Sequence, residues 1–352
     1  MESKEMESKE IVTRAIEFRK PPRLPFFLGG LFDKIEKLVP GIPNDLCDCF
    51  ELDRQKAGWF FDNAAQDDWG CGWATTEKEN MGQVIYNPLA VWSNLNSFIP
   101  PNPKDNFYYE RIGDIINKAC GRYVMVTSHF NLFERLYMLH GFEQTLMDLY
   151  TCPEKCEKII DMILDFKLEM FNQLYRRFKD NIHGLWLTDD WGTQLNTFIS
   201  KDMFKAIFLH RYKILADAIH DYGWHFHLHS CGRINDFIPF FIEAGIDVLN
   251  LQQPRTYGIE EIGRKFAGKI CFQTTADIQS TLPKNDMQLV KKEVKELIEN
   301  WSTPEGGFIV FNYGHSCAIG VKEEVERTMF NSFYELANFW RTHSWQKTHN
   351  EV

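Results

Sequence analysis

The chain has no excess of positive charge: 39 Lys and Arg stand against 49 Asp and Glu in 352 residues, a formal net charge of −10. Without clustered cations, a nucleic-acid groove or an anionic membrane surface has nothing to hold it, so neither is an expected partner. No apolar run reaches the length of a bilayer span and no leader pattern opens the sequence, which makes the cytoplasm the expected location. Nucleotide signatures are missing too, with no G-x-G-x-x-G turn and no Walker loop. The nine cysteines are odd in number and scattered from Cys47 to Cys317, unlike the framework of a disulfide miniprotein. They read as thiols of a reducing compartment, open to metal binding. A small molecule or another protein is the expected partner.

What the chain does have is concentrated in Trp224-His225-Phe226-His227-Leu228-His229-Ser230-Cys231-Gly232. Period-2 alternation puts Trp224, Phe226 and Leu228 on one face of a strand and the three histidines on the other, until Gly232 breaks the run. A second apolar run, Gly307 to Cys317, reads as another strand ending in His-Ser-Cys. His229, Cys231 and Cys317 would offer one imidazole and two thiolates, three of the four N/S ligands that zinc prefers, with a fourth position open. The alternative is that these are ordinary buried cysteines and a core histidine. Cys47-Asp48-Cys49 and the Cys152/Cys156 pair read as structural, in a loop and at a helix start.

Residues 1–10, MESKE written twice, read as a loose tail, and 11–352 as a single domain. Strands are expected at Leu24–Leu28, Gly58–Phe61, Arg122–Thr127, His183–Thr188, Trp224–His229, Ile246–Leu251, Lys269–Gln273 and Gly307 onward. Helical spacing separates most of them: Leu132 to Leu149, then Pro153 to Met170, a Ser200-capped helix, Phe237 to Ala244, Met287 to Trp301 and Val325 to Leu336. Roughly eight alternations in one chain predict an α/β fold, a (β/α)8 TIM barrel, with its site where the strands end. That rule gathers Asp189 and Asp190, His229 and Cys231, Asn250 and Gln252, and Cys317 around one mouth. Trp69, Asp189, Trp191, His227, Asn250 and Gln252 are the candidates to line a substrate pocket, and Asp190 and Tyr313 the candidate catalytic groups. His315 would donate a hydrogen bond beside Cys317 if that strand continued.

The His-Leu-His-Ser-Cys-Gly run at 227–232, Asp-Asp-Trp-Gly-Thr-Gln at 189–194, Asp-Val-Leu-Asn at 247–250, the later Cys317 and the early Ile-Glu-Phe-Arg-Lys-Pro-Pro-Arg-Leu-Pro segment resemble the uroporphyrinogen decarboxylase superfamily, over residues 11 to 342. More narrowly they resemble its zinc-dependent corrinoid methyltransferase branch, marked by His-x-Cys and a distant Cys. The resemblance implies Zn2+ on His229, Cys231 and Cys317, and a cobalamin carried by a separate corrinoid protein. Methyl would then move between that corrinoid and a small substrate. An aromatic methyl ether (O-demethylation) is favoured over a thiol by the aromatics Trp69, Trp73, Trp191 and Tyr313 near strand ends. The sequence departs from the decarboxylases at Phe26 to Phe32, where they carry an Arg-rich grip for a porphyrinogen. Metal-free decarboxylation and a non-catalytic ligand-binding barrel are the rival readings, and a homodimer is left open as the assembly.

Overall fold

The structure, a computed structural model, describes residues 6–29, 35–53, 55–56, 66–74 and 82–343. Its strands are β1 (Phe26–Phe27), β2 (Leu46–Cys49), β3 (Gly72–Ala74), β4 (Gln83–Tyr86), β5 (Tyr123–Ser128), β6 (Gly184–Thr188), β7 (His225–His229), β8 (Val248–Leu251), β9 (Cys271–Thr274) and β10 (Phe308–Phe311). Eight of them form one parallel sheet in the order β1-β10-β9-β8-β7-β6-β5-β2. Apolar side chains fill both faces, which is the pattern of strands wrapped by helices. Strands β3 and β4 pair as a separate antiparallel hairpin.

The sheet curls until β1 meets β2, and side chains stand in for part of the missing ladder. The Asp45 backbone N–H donates to the Phe26 carbonyl at 2.7 Å, while the Asp45 carboxylate accepts from the Phe26 N–H at 2.9 Å. Arg23 grips that carboxylate through two nitrogens at 2.6 and 2.7 Å. Asn44 accepts from the Leu28 N–H at 3.1 Å. The result is a nearly closed (β/α)8 barrel, as the alternation of elements predicts.

Several boundaries differ from expectation. The first helix, Ser8–Ile16, begins inside the charged tandem, and Ser8 Oγ donates to Asp45 at 2.7 Å. Cys47-Asp48-Cys49 lie on β2, not in a loop. The expected strand at Gly58–Phe61 falls outside the described residues. Positive φ at Gly141 divides the expected Leu132–Leu149 helix into Leu132–His140 and Phe142–Thr151. The helix expected over Pro153 to Met170 runs on to Phe178 and has no side-chain cap, the Thr151 hydroxyl before it donating to Asp148. Strand β10 stops at Phe311, so Cys317 and His315 are not on it. Cys317 belongs to a short 3-10 turn, Ser316–Ile319, with His315 just before it.

At the lower end of the barrel the Tyr123 hydroxyl donates to the His183 carbonyl at 2.8 Å and lies 2.9 Å from His225 Nδ1 and 3.2 Å from His227 Nε2. His227 is fully buried, and burial, aided by His225, pushes its pKa down to about 3. In the unfolded chain the imidazole titrates near 6.5, so below that pH the unfolded state binds a proton that the folded state refuses. Stability is therefore lost as pH falls from about 6.5 toward 3. The expected result is that wild type loses about 2 kcal/mol more than His227→Gln between pH 7 and pH 5. Urea unfolding of both proteins at the two pH values reads that difference, in which other titrating groups cancel; equal pH slopes would refute the assignment.

Candidate active site

Two loops at the carboxyl ends of β6 and β7 build the centre. The Asp189 N–H donates to the His229 carbonyl at 3.0 Å, the Trp191 N–H to Ser230 Oγ at 3.2 Å and the Arg233 N–H to the Thr193 carbonyl at 2.7 Å. The two backbones touch at Gly192 and Gly232. A Cβ on Gly232, whose φ is +80°, would collide with the Gly192 carbonyl. Glycine is required here because nothing larger lets the loops cross. Their crossing sets Asp190 against Cys231, whose backbone N–H donates to Asp190 Oδ1 at 2.7 Å.

Around that point His229 Nε2 lies 3.3 Å from Cys231 Sγ and 3.7 Å from Asp190 Oδ1, and one ligand atom from each of the three lies within 4.8 Å of the others. The orientation of His229 follows from its neighbours. Asn250 donates its amide to the Gln273 carbonyl at 3.3 Å and accepts from Gln252 Nε2 at 3.1 Å, which fixes its Oδ1 as an acceptor. His229 Nδ1, 2.7 Å from that oxygen, therefore carries the proton, and Nε2 presents its lone pair to Cys231 and Asp190. Burial pushes the Cys231 thiol well above its ordinary pKa, and the Asp190 and Glu134 carboxylates push it further. Burial likewise raises Glu134, beside Asp190 and Asp189.

This donor set fits a zinc ion. Tetrahedral bonds of about 2.0–2.3 Å place nitrogen and sulfur ligands about 3.6 Å apart, close to the 3.3 Å between Nε2 and Sγ. The crowding that resists ionisation of Cys231 is relieved by a divalent charge at the same spot. Cys317 is outside this cluster but lines the same cavity from its exposed turn.

The cavity occupies about 1700 Å³ at the strand ends. Of the expected residues, Asp190, His229, Cys231, Gln252, Tyr313 and Cys317 line it. Burial, with Cys231 adding, raises the pKa of Tyr313 and keeps its hydroxyl protonated. Trp69, Asp189, Trp191, His227 and Asn250 do not line the cavity. Trp191 is wholly buried, stacked on Phe133 at 4.4 Å and donating Nε1 to the Tyr212 hydroxyl at 3.0 Å. Trp69 packs edge-on against Phe166 at 4.9 Å with the Arg135 guanidinium 5.4 Å from its ring. Asp189 accepts from the Phe133 and Glu134 N–H groups and from Tyr212. His227 lies two residues deeper on β7, and Asn250 acts through His229.

Other lining residues escaped sequence reasoning: Glu134, which accepts from the Thr188 hydroxyl at 2.6 Å, and the pair His129 and Asp53. A signal for His129 existed, since it directly follows the clear strand β5. Among the described residues the lining includes Asp48, Asp53, Glu134 and Asp190 and no Lys or Arg. No described helix is long and apolar enough to cross a membrane.

No curated protein matches the sequence. Among solved structures, a methyltransferase from Methanosarcina mazei superposes with a TM-score of 0.68 at 12% identity, covering 94% of this chain and 99% of that one. A 3-keto-D-glucoside 4-epimerase from E. coli gives 0.40 at 10% identity, over 72% of this chain and 96% of its own. The family model for uroporphyrinogen decarboxylase (URO-D) matches residues 69–336, from the segment before β3 through the last long helix. That match takes in β3 to β10 and every residue of the Asp190, His229 and Cys231 cluster, and the chain belongs to the uroporphyrinogen decarboxylase family.

Proposed function

We propose that the protein is a zinc-dependent methyltransferase that moves a methyl group between a small substrate, an aromatic methyl ether, and the cobalamin of a separate corrinoid protein. The observation that carries this reading is the soft donor pair His229 Nε2 and Cys231 Sγ, 3.3 Å apart beside Asp190, at the mouth of an aromatic-lined cavity. Decarboxylation of a porphyrinogen has no use for a thiolate, and a polycarboxylate entering this cavity meets carboxylates and, among the described residues, no Lys or Arg to pair with.

His229 and Cys231 would hold the ion, with Asp190 beside them and Cys317 joining from its turn as the third strong ligand. Zinc bound there would supply Lewis acidity toward the heteroatom that bears the methyl group. Asn250 fixes the His229 ring, and Gln252 fixes Asn250. Tyr313, protonated at neutral pH, stands ready to donate to the oxygen left behind. Trp73, Phe130, Trp186 and Tyr313 supply ring faces for an aromatic substrate.

The test mixes zinc-loaded enzyme with a reduced corrinoid carrier protein and follows cobalt methylation by absorbance across methoxyaromatics, aliphatic methyl donors and thiols. Methylation by a methoxyaromatic is expected. Methyl transfer to a thiol with no turnover of any ether would move the assignment to the thiol branch, and metal-independent porphyrinogen turnover would replace it.

A further inference from the structure

The cavity has a second polar pole that the metal site does not use. His129 follows the last residue of β5, one step past the pair Ser128 and Leu187, level with Thr188, which in turn pairs with His229. It is held from three sides. Its backbone N–H donates to Asp53 Oδ1 and its Nδ1 to Asp53 Oδ2, both at 2.7 Å, and its carbonyl accepts from the buried Lys167 ammonium at 2.9 Å. Phe50 stacks on the ring at 5.9 Å and the Trp186 edge meets it at 5.4 Å. The next residue, Phe130, has φ of +56°, a conformation that a bulky side chain adopts only when its surroundings impose it, and its N–H is tied to Thr188 Oγ1 at 2.9 Å. So much restraint on one imidazole with 16% of its side chain open to the cavity is unneeded for packing alone.

With Nδ1 committed to Asp53, Nε2 is the ring atom left to meet a ligand in the cavity, and no described residue bonds it. Trp186, on the strand between, lies 5.4 Å from the His129 ring and 5.6 Å from the His229 ring, an apolar floor between two polar ends. Two strand spacings separate those ends, about 10 Å. A hydrogen bond of about 2.8 Å at one end and a ligand bond of about 2 Å at the other take up half of that, leaving the length of one six-membered ring. We propose that His129, positioned by Asp53, is the specificity-determining residue of the cavity and accepts a hydrogen bond from a hydroxyl on the substrate's ring, opposite the group that faces His229 and Cys231. The inference deepens the proposed function by naming its substrate class, hydroxylated aromatic methyl ethers, and rests on that reading only for the second end of the ring.

The test is calorimetric binding of two near-isosteric probes, 4-methoxyphenol and 4-methylanisole, to the zinc-loaded full chain at pH 7. Wild type is expected to bind the phenol at least about tenfold tighter, the value of one hydrogen bond to a buried acceptor. His129→Phe is expected to bring the two affinities together, and Asp53→Asn, which keeps the shape of the pair, to narrow the gap while the anisole affinity stays the same. If the preference holds and disappears in these variants but no methyl reaches a corrinoid, the methyltransferase reading fails and this inference stands. Equal binding of both probes by wild type, binding of neither, or a preference unchanged in His129→Phe and Asp53→Asn overturns it.

Discussion

Replacement of Cys231 by alanine is expected to leave the barrel folded and to remove zinc and methyl transfer together. The side chain sits on a loop after β7 and packs no core layer, so its loss opens no large void. What it does supply is the one sulfur already 3.3 Å from His229 Nε2. Without it, one nitrogen, the Asp190 oxygen and the Cys317 thiolate of the proposed set remain, with one thiolate in place of two and no sulfur beside Nε2, a set that zinc holds far more weakly. Loss of a group that merely orients a ligand costs about 10–100-fold in affinity or activity, and loss of the ligand is expected to exceed a hundredfold. Metal analysis after dialysis should fall from about one zinc per chain to near none, with the far-UV spectrum and melting temperature close to wild type. Cys317→Ala is expected to weaken zinc more than Asp190→Asn does, because a second thiolate matches the ion better than a carboxylate. A Cys231→Ala protein that is metal-free and fully active would falsify the assignment.

The placing of His229 and Cys231 together was legible in the sequence for a specific reason. Strand periodicity fixes which side chains share a face, and Gly232 marks where the strand must stop, so His229 and Cys231 fall at the rim without any knowledge of packing. The same pattern could not rank depth. His225, His227 and His229 share one face, yet each is one pleat pair, about 6.6 Å, further from the mouth than the next, and only the last meets the cavity. The second apolar run misled in the opposite direction. Phe308–Phe311 is a strand, but the chain leaves the sheet after it, where Asn312 donates through its side chain to the Leu28 carbonyl at 2.8 Å and through its backbone to the Phe27 carbonyl at 3.0 Å. The five residues between Phe311 and Cys317 carry that cysteine to the rim on a turn that no periodicity describes.

Aromatic residues were an uneven signal: of the four singled out in the sequence, Trp73 and Tyr313 line the cavity and Trp69 and Trp191 do not. Trp191 sits in a loop rich in acid and glycine, yet its indole stacks on Phe133 and meets the edges of Phe204 and Phe208 at 5.0 and 4.7 Å. Trp186, within a strand and unremarked in the sequence, lines the cavity together with Trp73 and Tyr313, which the sequence did single out. His129 and Asp53 went unseen because their pairing joins residues on either side of a long unpatterned stretch, 76 positions apart.

Asp189 and Asp190 are adjacent and identical but face different surroundings, one the core and one the cavity, and the difference predicts opposite outcomes. Asp189 points behind the strand, is wholly buried, and caps the helix Leu132–His140 from outside. It accepts from the Glu134 N–H at 2.7 Å, the Phe133 N–H at 3.1 Å and the Tyr212 hydroxyl at 2.6 Å, while the helix's own N-cap, Asn131, makes no side-chain cap. Asp189→Ala strands all three donors in the core. Removing one partner of a buried charged network costs about 3–5 kcal/mol, and because burial already lifts this carboxyl to about 7, the lower end is expected. Asp190, a third exposed, faces the cavity instead. Asp190→Ala is expected to change unfolding by less than about 1 kcal/mol while removing both the carboxylate oxygen beside His229 and Cys231 and the acceptor that holds the Cys231 N–H. Urea unfolding and zinc titration on the two variants read the contrast. If Asp190→Ala unfolds as readily as Asp189→Ala, or if Asp189→Ala keeps its stability and loses its metal, the assignment of the two roles is reversed.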